Sequence, residues 1–209
     1  MDSAKAKHRH KAVLWITASV ILVVVAVGLI VLPNRAGQAV SSPSKPVRSE
    51  ISTIDPAALV PQLAELPAGS SVQSNSYVTN AQASQRNQTS LTFLRSSGRE
   101  IGFDRDFNVP RYGDIDIEVV RFKSHTGMDK AYDYFLSLPG ARGLNAVPFA
   151  GVGEHAALVT NSQAGFVEFM RGRYYAVITA VPATQNSLRY IHALARRVDT
   201  RILHYGPSA

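Results

Sequence analysis

The chain has no cysteine. That excludes a disulfide framework, thiolate-ligated zinc, a thiol nucleophile and the lipid-bearing cysteine of a lipoprotein. Acids are few as well, 15 against 22 Lys and Arg, giving a formal net charge of +7 and a pI near 9.9. Catalytic signatures are missing too: there is no G-x-S-x-G, S-x-x-K, Walker or kinase motif. The histidines (His8, His10, His125, His155, His192 and His204) show no His-x₃-His or His-Glu-x-x-His spacing, so no zinc ligand set is expected. No cofactor is expected from these patterns.

What the chain does have is one long apolar run. Residues 12–32, AVLWITASVILVVVAVGLIVL, are 21 positions without a charge. At 1.5 Å per residue such a helix is about 32 Å long, enough to cross a hydrocarbon core of roughly 30 Å. Backbone amides inside lipid must be paired within the segment, so a continuous transmembrane helix is expected. Lys5, Lys7, Arg9 and Lys11 crowd the tail 1–11 against Asp2 alone, whereas Arg35, Lys45 and Arg48 are spread over the far side. Positive charge close to a span stays inside, which places the tail in the cytoplasm and the body outside it. A cleaved secretory signal is the rival reading, with Gly37-Gln38-Ala39 as the cut site before Val40. The apolar run is longer than the 7–15 residues usual for such a signal, and both readings put the body in the same compartment.

The four bases of the tail less Asp2 account for +3 of the net charge. Much of the basic character is therefore a topology signal, and nucleic acid is an improbable partner. Residues 33–53 are rich in Pro, Ser and small side chains without apolar periodicity. They read as a flexible spacer reaching roughly 25 Å. Residues 54–209 form the extracytoplasmic domain.

Within that domain Asp55-Pro56 reads as a cap and first turn of a short helix over 57–66, with Pro61 against its continuing. From 72 to 123 the pattern is that of strands, with Ser97-Gly98 as a hairpin turn between Leu91–Leu94 and Ile101–Phe103, and a polar loop over 80–89. Ile115, Ile117 and Val119 alternate with Asp116 and Glu118, a half-buried strand. Met128, Ala131, Tyr132, Phe135 and Leu138 recur at helical spacing after a cap near Thr126. Strands return over 155–181, where Arg171-Gly172-Arg173 separates two runs. The second run has no polar face and should be central. Leu188, Ile191, Leu194, Ala195, Val198 and Ile202 make one stripe of a last helix capped by Asn186. The expected fold is α+β: a mainly antiparallel sheet of about six strands with two or three packed helices, preceded by one transmembrane helix.

Several residues carry candidate chemistry. Gly151-Val152-Gly153-Glu154-His155-Ala156 matches G-x-G-x-x-A, but it lacks the flanking strand and helix that a dinucleotide fingerprint needs, and a sharp glycine turn is expected instead. Asp104 and Asp106, like Asp114 and Asp116, lie two apart and share a strand face, so either pair could hold Ca²⁺ or serve acid–base chemistry. With Arg99, Arg105 and Arg111 nearby, solvated strand edges are the preferred reading. Glu154 and His155 sit in a glycine-flanked loop, the kind of place that carries function. Arg189, Arg196, Arg197 and Arg201 line the polar side of the last helix and offer a surface to anionic headgroups or an acidic partner.

Four further stretches carry a resemblance: Ser97-Gly98-Arg99-Glu100-Ile101-Gly102-Phe103, the run from Gly151 to Ala156, Phe169-Met170-Arg171-Gly172-Arg173-Tyr174-Tyr175-Ala176-Val177, and Leu194-Ala195-Arg196-Arg197-Val198. In these the chain from Leu66 onward resembles the extracytoplasmic domains of bacterial lipoproteins and bitopic membrane proteins of unassigned function. The resemblance implies a non-enzymatic surface or sensor-like domain, of the layered α/β type seen in photosystem PsbP-like proteins, and brings no catalytic residues. The expected function is thus that of a single-pass, membrane-anchored, non-catalytic binding, sensor-like or assembly domain. Its partners would be lipid through residues 12–32 and an envelope protein, polymer or small ligand. The alternatives are an envelope hydrolase using Asp104, Asp106 or His155, and an accessory subunit of a membrane complex.

Overall fold

In the computed structural model, residues 54–87, 89–137, 145–161 and 163–205 are described. Among them, seven strands form one antiparallel sheet: β1 (Ser71–Val78), β2 (Arg99–Val109), β3 (Gly113–Phe122), β4 (Asn145–Pro148), β5 (His155–Thr160), β6 (Gly165–Arg171) and β7 (Tyr174–Val181). Their spatial order is β1-β2-β3-β7-β6-β5-β4, so β7 lies at the centre, paired with β3 and β6. The helices are α1 (Pro56–Leu59), α2 (Asn80–Asn87), α3 (Leu91–Ser96), α4 (His125–Ser137) and α5 (Gln185–Tyr205), with a 3₁₀ turn at Leu63–Glu65.

Alternate residues of each strand supply two separate apolar layers. Tyr174, Ala176, Ile178 and Ala180 of β7 join Phe103, Phe107, Ile115, Ile117, Val167 and Phe169 under α1 and α5. Tyr175 and Val177 join Val120, Phe122, Phe166 and Met170 on the other face, under α2, α3 and α4. Helix α5 buries Ile191, Leu194, Val198 and Ile202, and truncating Leu194 to Ala there would cost about 2–5 kcal/mol. Its first turn is closed reciprocally: the Thr184 amide donates to Ser187 Oγ (2.9 Å) and the Ser187 amide to Thr184 Oγ1 (3.1 Å). Gly165 lets α5 approach the sheet, since a Cβ there would stand 2.2 Å from Leu188 Cδ2.

Among the described residues the fold differs from the expectation in several respects. The sheet has seven strands rather than about six, and five α-helices accompany it rather than two or three. Residues 80–87, read as a loop for their polarity, form α2. Leu91 to Leu94, read as one arm of a hairpin, belong to α3, because Ser90 Oγ accepts from the Phe93 amide and caps that turn (3.3 Å). Among the described residues no helix is long and apolar enough to cross a membrane, and the run 12–32 lies outside them. The expected helix over 57–66 is cut at Pro61 into α1 and the 3₁₀ turn, as a proline without an amide hydrogen requires. The last helix is capped by Thr184, and Asn186 lies inside it.

Candidate functional site

Strands β2 and β3 are joined by a tight turn at Pro110-Arg111-Tyr112, in which the Tyr112 amide donates to Val109 O (3.0 Å) and Arg111 takes φ 71°. The register that follows sets Asp104 opposite Glu118 and Asp106 opposite Asp116. Directly opposed residues share a face, so four carboxylates converge on the face covered by α2, α3 and α4. One carboxylate oxygen from each of Asp104, Asp106 and Asp116 lies within 4.8 Å of the other two.

Two guanidiniums reach this group. Arg86 of α2 donates to Asp104 Oδ2 at 2.8 Å. Arg99 stands 3.7 Å from Glu118 Oε1 and is anchored by donation to Val78 O (3.0 Å) and Asn80 Oδ1 (2.9 Å). Gly102 makes room for it: a Cβ there would lie 2.7 Å from Arg99 Nη2. Ser74 of β1 donates to Asp106 Oδ2 at 2.5 Å. Asp104 and Asp116 are only 9% and 8% exposed, and among the described residues Oδ1 of each has no hydrogen-bond partner. The cluster faces solvent on its β1 side, where residues 71–77 are exposed.

The electrostatics are unbalanced. Four carboxylates meet two guanidiniums, a formal excess of two negative charges. At an effective dielectric of about 20, two charges about 4.8 Å apart repel by about 3–4 kcal/mol. Three mutual pairs would cost roughly 10 kcal/mol, comparable with the whole stability of a domain. Arg86 and Arg99 offset about half of this or more, and the remaining excess of negative charge favours uptake of protons or a cation. Accordingly, burial first and then the Asp104 charge push the Asp116 carboxyl well above its usual range. The same two causes raise Asp106, and burial followed by Asp104 raises Glu118. Burial disfavours the charge on Arg86, but Asp104 outweighs it and holds that guanidinium above its ordinary value.

The structure thus joins two sequence pairs into one site and buries it, where solvated edges were expected. Asp114 stays outside it and accepts from Asn108 Nδ2 (2.9 Å). His155 begins β5, four strands from β2 in the sheet order, about 19 Å at the usual strand spacing. It does not meet Asp104 or Asp106. Glu154 instead accepts from the Gly172 amide (3.0 Å) and binds His125 Nε2 (2.8 Å), while His125 Nδ1 contacts Asp129 Oδ2 (2.8 Å). The G-x-G turn carries positive φ at Gly151 and Gly153 and leads into β5.

Two of the four helix arginines are committed within the fold. Arg201 pairs with Glu65 and donates to Leu59 O (3.2 Å), and Arg197 donates to Glu65 O (3.1 Å). Arg189 and Arg196 are exposed. Sequence reasoning missed Arg86, Glu118 as a site residue, and the buried pair of Glu168 and Tyr175, whose hydroxyl donates to Glu168 Oε2 at 2.8 Å. Glu168 left no sequence signal, since it stands alone in an apolar strand. Comparison with protein-family models, curated proteins and solved structures gives no match to this chain.

Proposed function

We propose that this chain is a non-catalytic binding domain, tethered through residues 12–32 and displayed outside the cytoplasm, whose site on β2 and β3 takes a cationic ligand. The observation that carries the reading is the buried excess of carboxylate over guanidinium at Asp104, Asp106, Asp116 and Glu118. A cation supplies the missing charge without ordering any further part of the chain. The hydrolase alternative, which would use Asp104, Asp106 or His155, draws no support from a shared Asp/His site, since His155 stands four strands from β2 in the sheet order. The tether and the compartment rest on the apolar run and the basic tail.

Two measurements test this reading. Calorimetric titration of the full chain in mild detergent should show uptake of small cations and none of matched anions, and a preference for anions would contradict it. Protease added to spheroplasts carrying the full chain should digest the domain. A domain left intact until lysis would put it in the wrong compartment.

A further inference from the structure

We propose that Asp104, Asp106 and Asp116 bind one hard divalent cation, with Ca²⁺, which accepts irregular all-oxygen shells, the ion to test first. The inference rests on the cationic-ligand reading above and names the ligand class. All three donors are carboxylates, and a hard, oxygen-seeking ion is what such a set selects over zinc or copper. Ca²⁺ holds its oxygens at about 2.4 Å, so atoms of one shell lie up to about 4.8 Å apart. One oxygen from each of the three carboxylates lies close enough to the other two for a single ion to bridge all three.

Independently of the cluster itself, the buried Oδ1 atoms of Asp104 and Asp116 have no hydrogen-bond partner among the described residues. Polar oxygens this deep are ordinarily satisfied; without an ion a proton held between the Asp104 and Asp116 carboxyls serves them, and a divalent ion takes its place. Arg86 occupies Oδ2 of Asp104 and Ser74 occupies Oδ2 of Asp106, which orients these carboxylates and leaves the other oxygen of each for the ion. The formal excess of two negative charges equals the charge of the proposed ion. Arg99 holds Glu118 behind the site as a further charge. Asp106 is only half-buried, so the cluster is reached from solvent through it.

The test uses the full chain in mild detergent, stripped with a chelator and titrated with Ca²⁺, Mg²⁺ or spermidine. Thermal unfolding and calorimetry are the readouts. Ca²⁺ should bind one to one, at about 10⁻⁴ M as extracellular modules do, and should raise the unfolding temperature with each decade of concentration. Asp116→Asn and Asp104→Asn should each weaken binding at least tenfold, while Asp129→Asn, on the distant α4, leaves it unchanged. Relief of repulsion should make the Asp116→Asn variant more stable than the wild type in chelator and indifferent to Ca²⁺. Asp106→Asn provides a second folded variant with the same expected loss. Absence of any divalent effect on the folded wild type, or full binding by Asp116→Asn, would overturn the proposal. If spermidine alone binds, and through Asp116, the divalent ion is wrong and the cationic reading survives. If none of the three binds, both fall.

Discussion

At the scale of single residues, Glu168 shares the sheet face of the acid site and is buried there. Among the described residues the Tyr175 hydroxyl is its hydrogen-bond partner, and burial, opposed by that hydrogen bond, pushes its carboxyl up to about 8. In the unfolded chain it would titrate near 4.5. Between those values the folded state holds a proton that the unfolded state has lost, so stability falls as pH rises from about 4.5 to about 8 and then levels off. Glu168→Gln removes this dependence. In urea unfolding of the full chain its stability relative to wild type should improve steadily from pH 5 to pH 8, by an amount on the order of a few kcal/mol. A difference that does not change with pH would show that Glu168 is ionised in the folded protein.

The acid site itself was half legible at this scale. Asp104, Asp106, Asp116 and Glu118 are all visible as alternate residues of two strands, and the opposed pairs are equidistant from Arg111. Locating the turn at Pro110-Arg111-Tyr112 was what would have joined them. Read as two separate pairs, they looked like solvated edges. The partner Arg86 could not be found from sequence, because the segment carrying it reads as a polar loop.

At the scale of elements, periodicity succeeded where an element buries a wide stripe. It failed where burial is slight. Helix α5 and strands β6 and β7 were legible from their apolar residues, since each buries a face over many positions. Helix α2 buries Ala83 as its contribution to the core, so nothing in its hydropathy marks it. Its place is set by Asn80, which donates to Arg99 O (2.9 Å), and by Arg86 on Asp104.

The start of α4 is tied to the turn before β5 through His125, which bridges Asp129 and Glu154. Donation of the His125 ring N–H to Glu154, against partial burial, raises the His125 pKa above its ordinary 6.5. Burial alone would raise Glu154, but the Gly172 amide and His125 outweigh it and lower that carboxyl. The histidine contribution is fully present below pH 6.5 and disappears as pH rises through the folded-state value. The glutamate contribution disappears as pH falls through its lowered value. The clasp is therefore tightest between the two. Proton NMR of the His125 ring should give an apparent pKa above 6.5 that drops in Glu154→Gln. A value at or below 6.5, unmoved by that change, would contradict the bridge.

At the scale of the whole molecule, the sheet separates two apolar layers, and each holds buried charge: Asp199 with Arg171 under α5, and the acid site with Glu168 on the other side. Under α1 and α5 the apolar contacts are continuous, and this side anchors the first described residues. Tyr174 Oη accepts from the Ile54 amide (3.1 Å) and donates to Ile54 O (3.0 Å), with Arg121 donating to the same carbonyl (3.1 Å). Asp55 caps α1 through the Ala57 amide (3.0 Å) and accepts from Tyr77 Oη (2.6 Å). The other layer holds the acid site near the free edge at β1, open to solvent. The face under α1 and α5 carries the larger apolar core, and the repulsive acid cluster lies on the other.

The central claim is that the carboxylates of β2 and β3 form one ion site. The most direct measurement is anomalous diffraction from crystals of the full chain grown with Mn²⁺ in place of Ca²⁺. A single strong peak bonded by oxygens of Asp104, Asp106 and Asp116 is the predicted result. Peaks confined to exposed acids such as Asp129, with the three carboxylates unbridged, would contradict it.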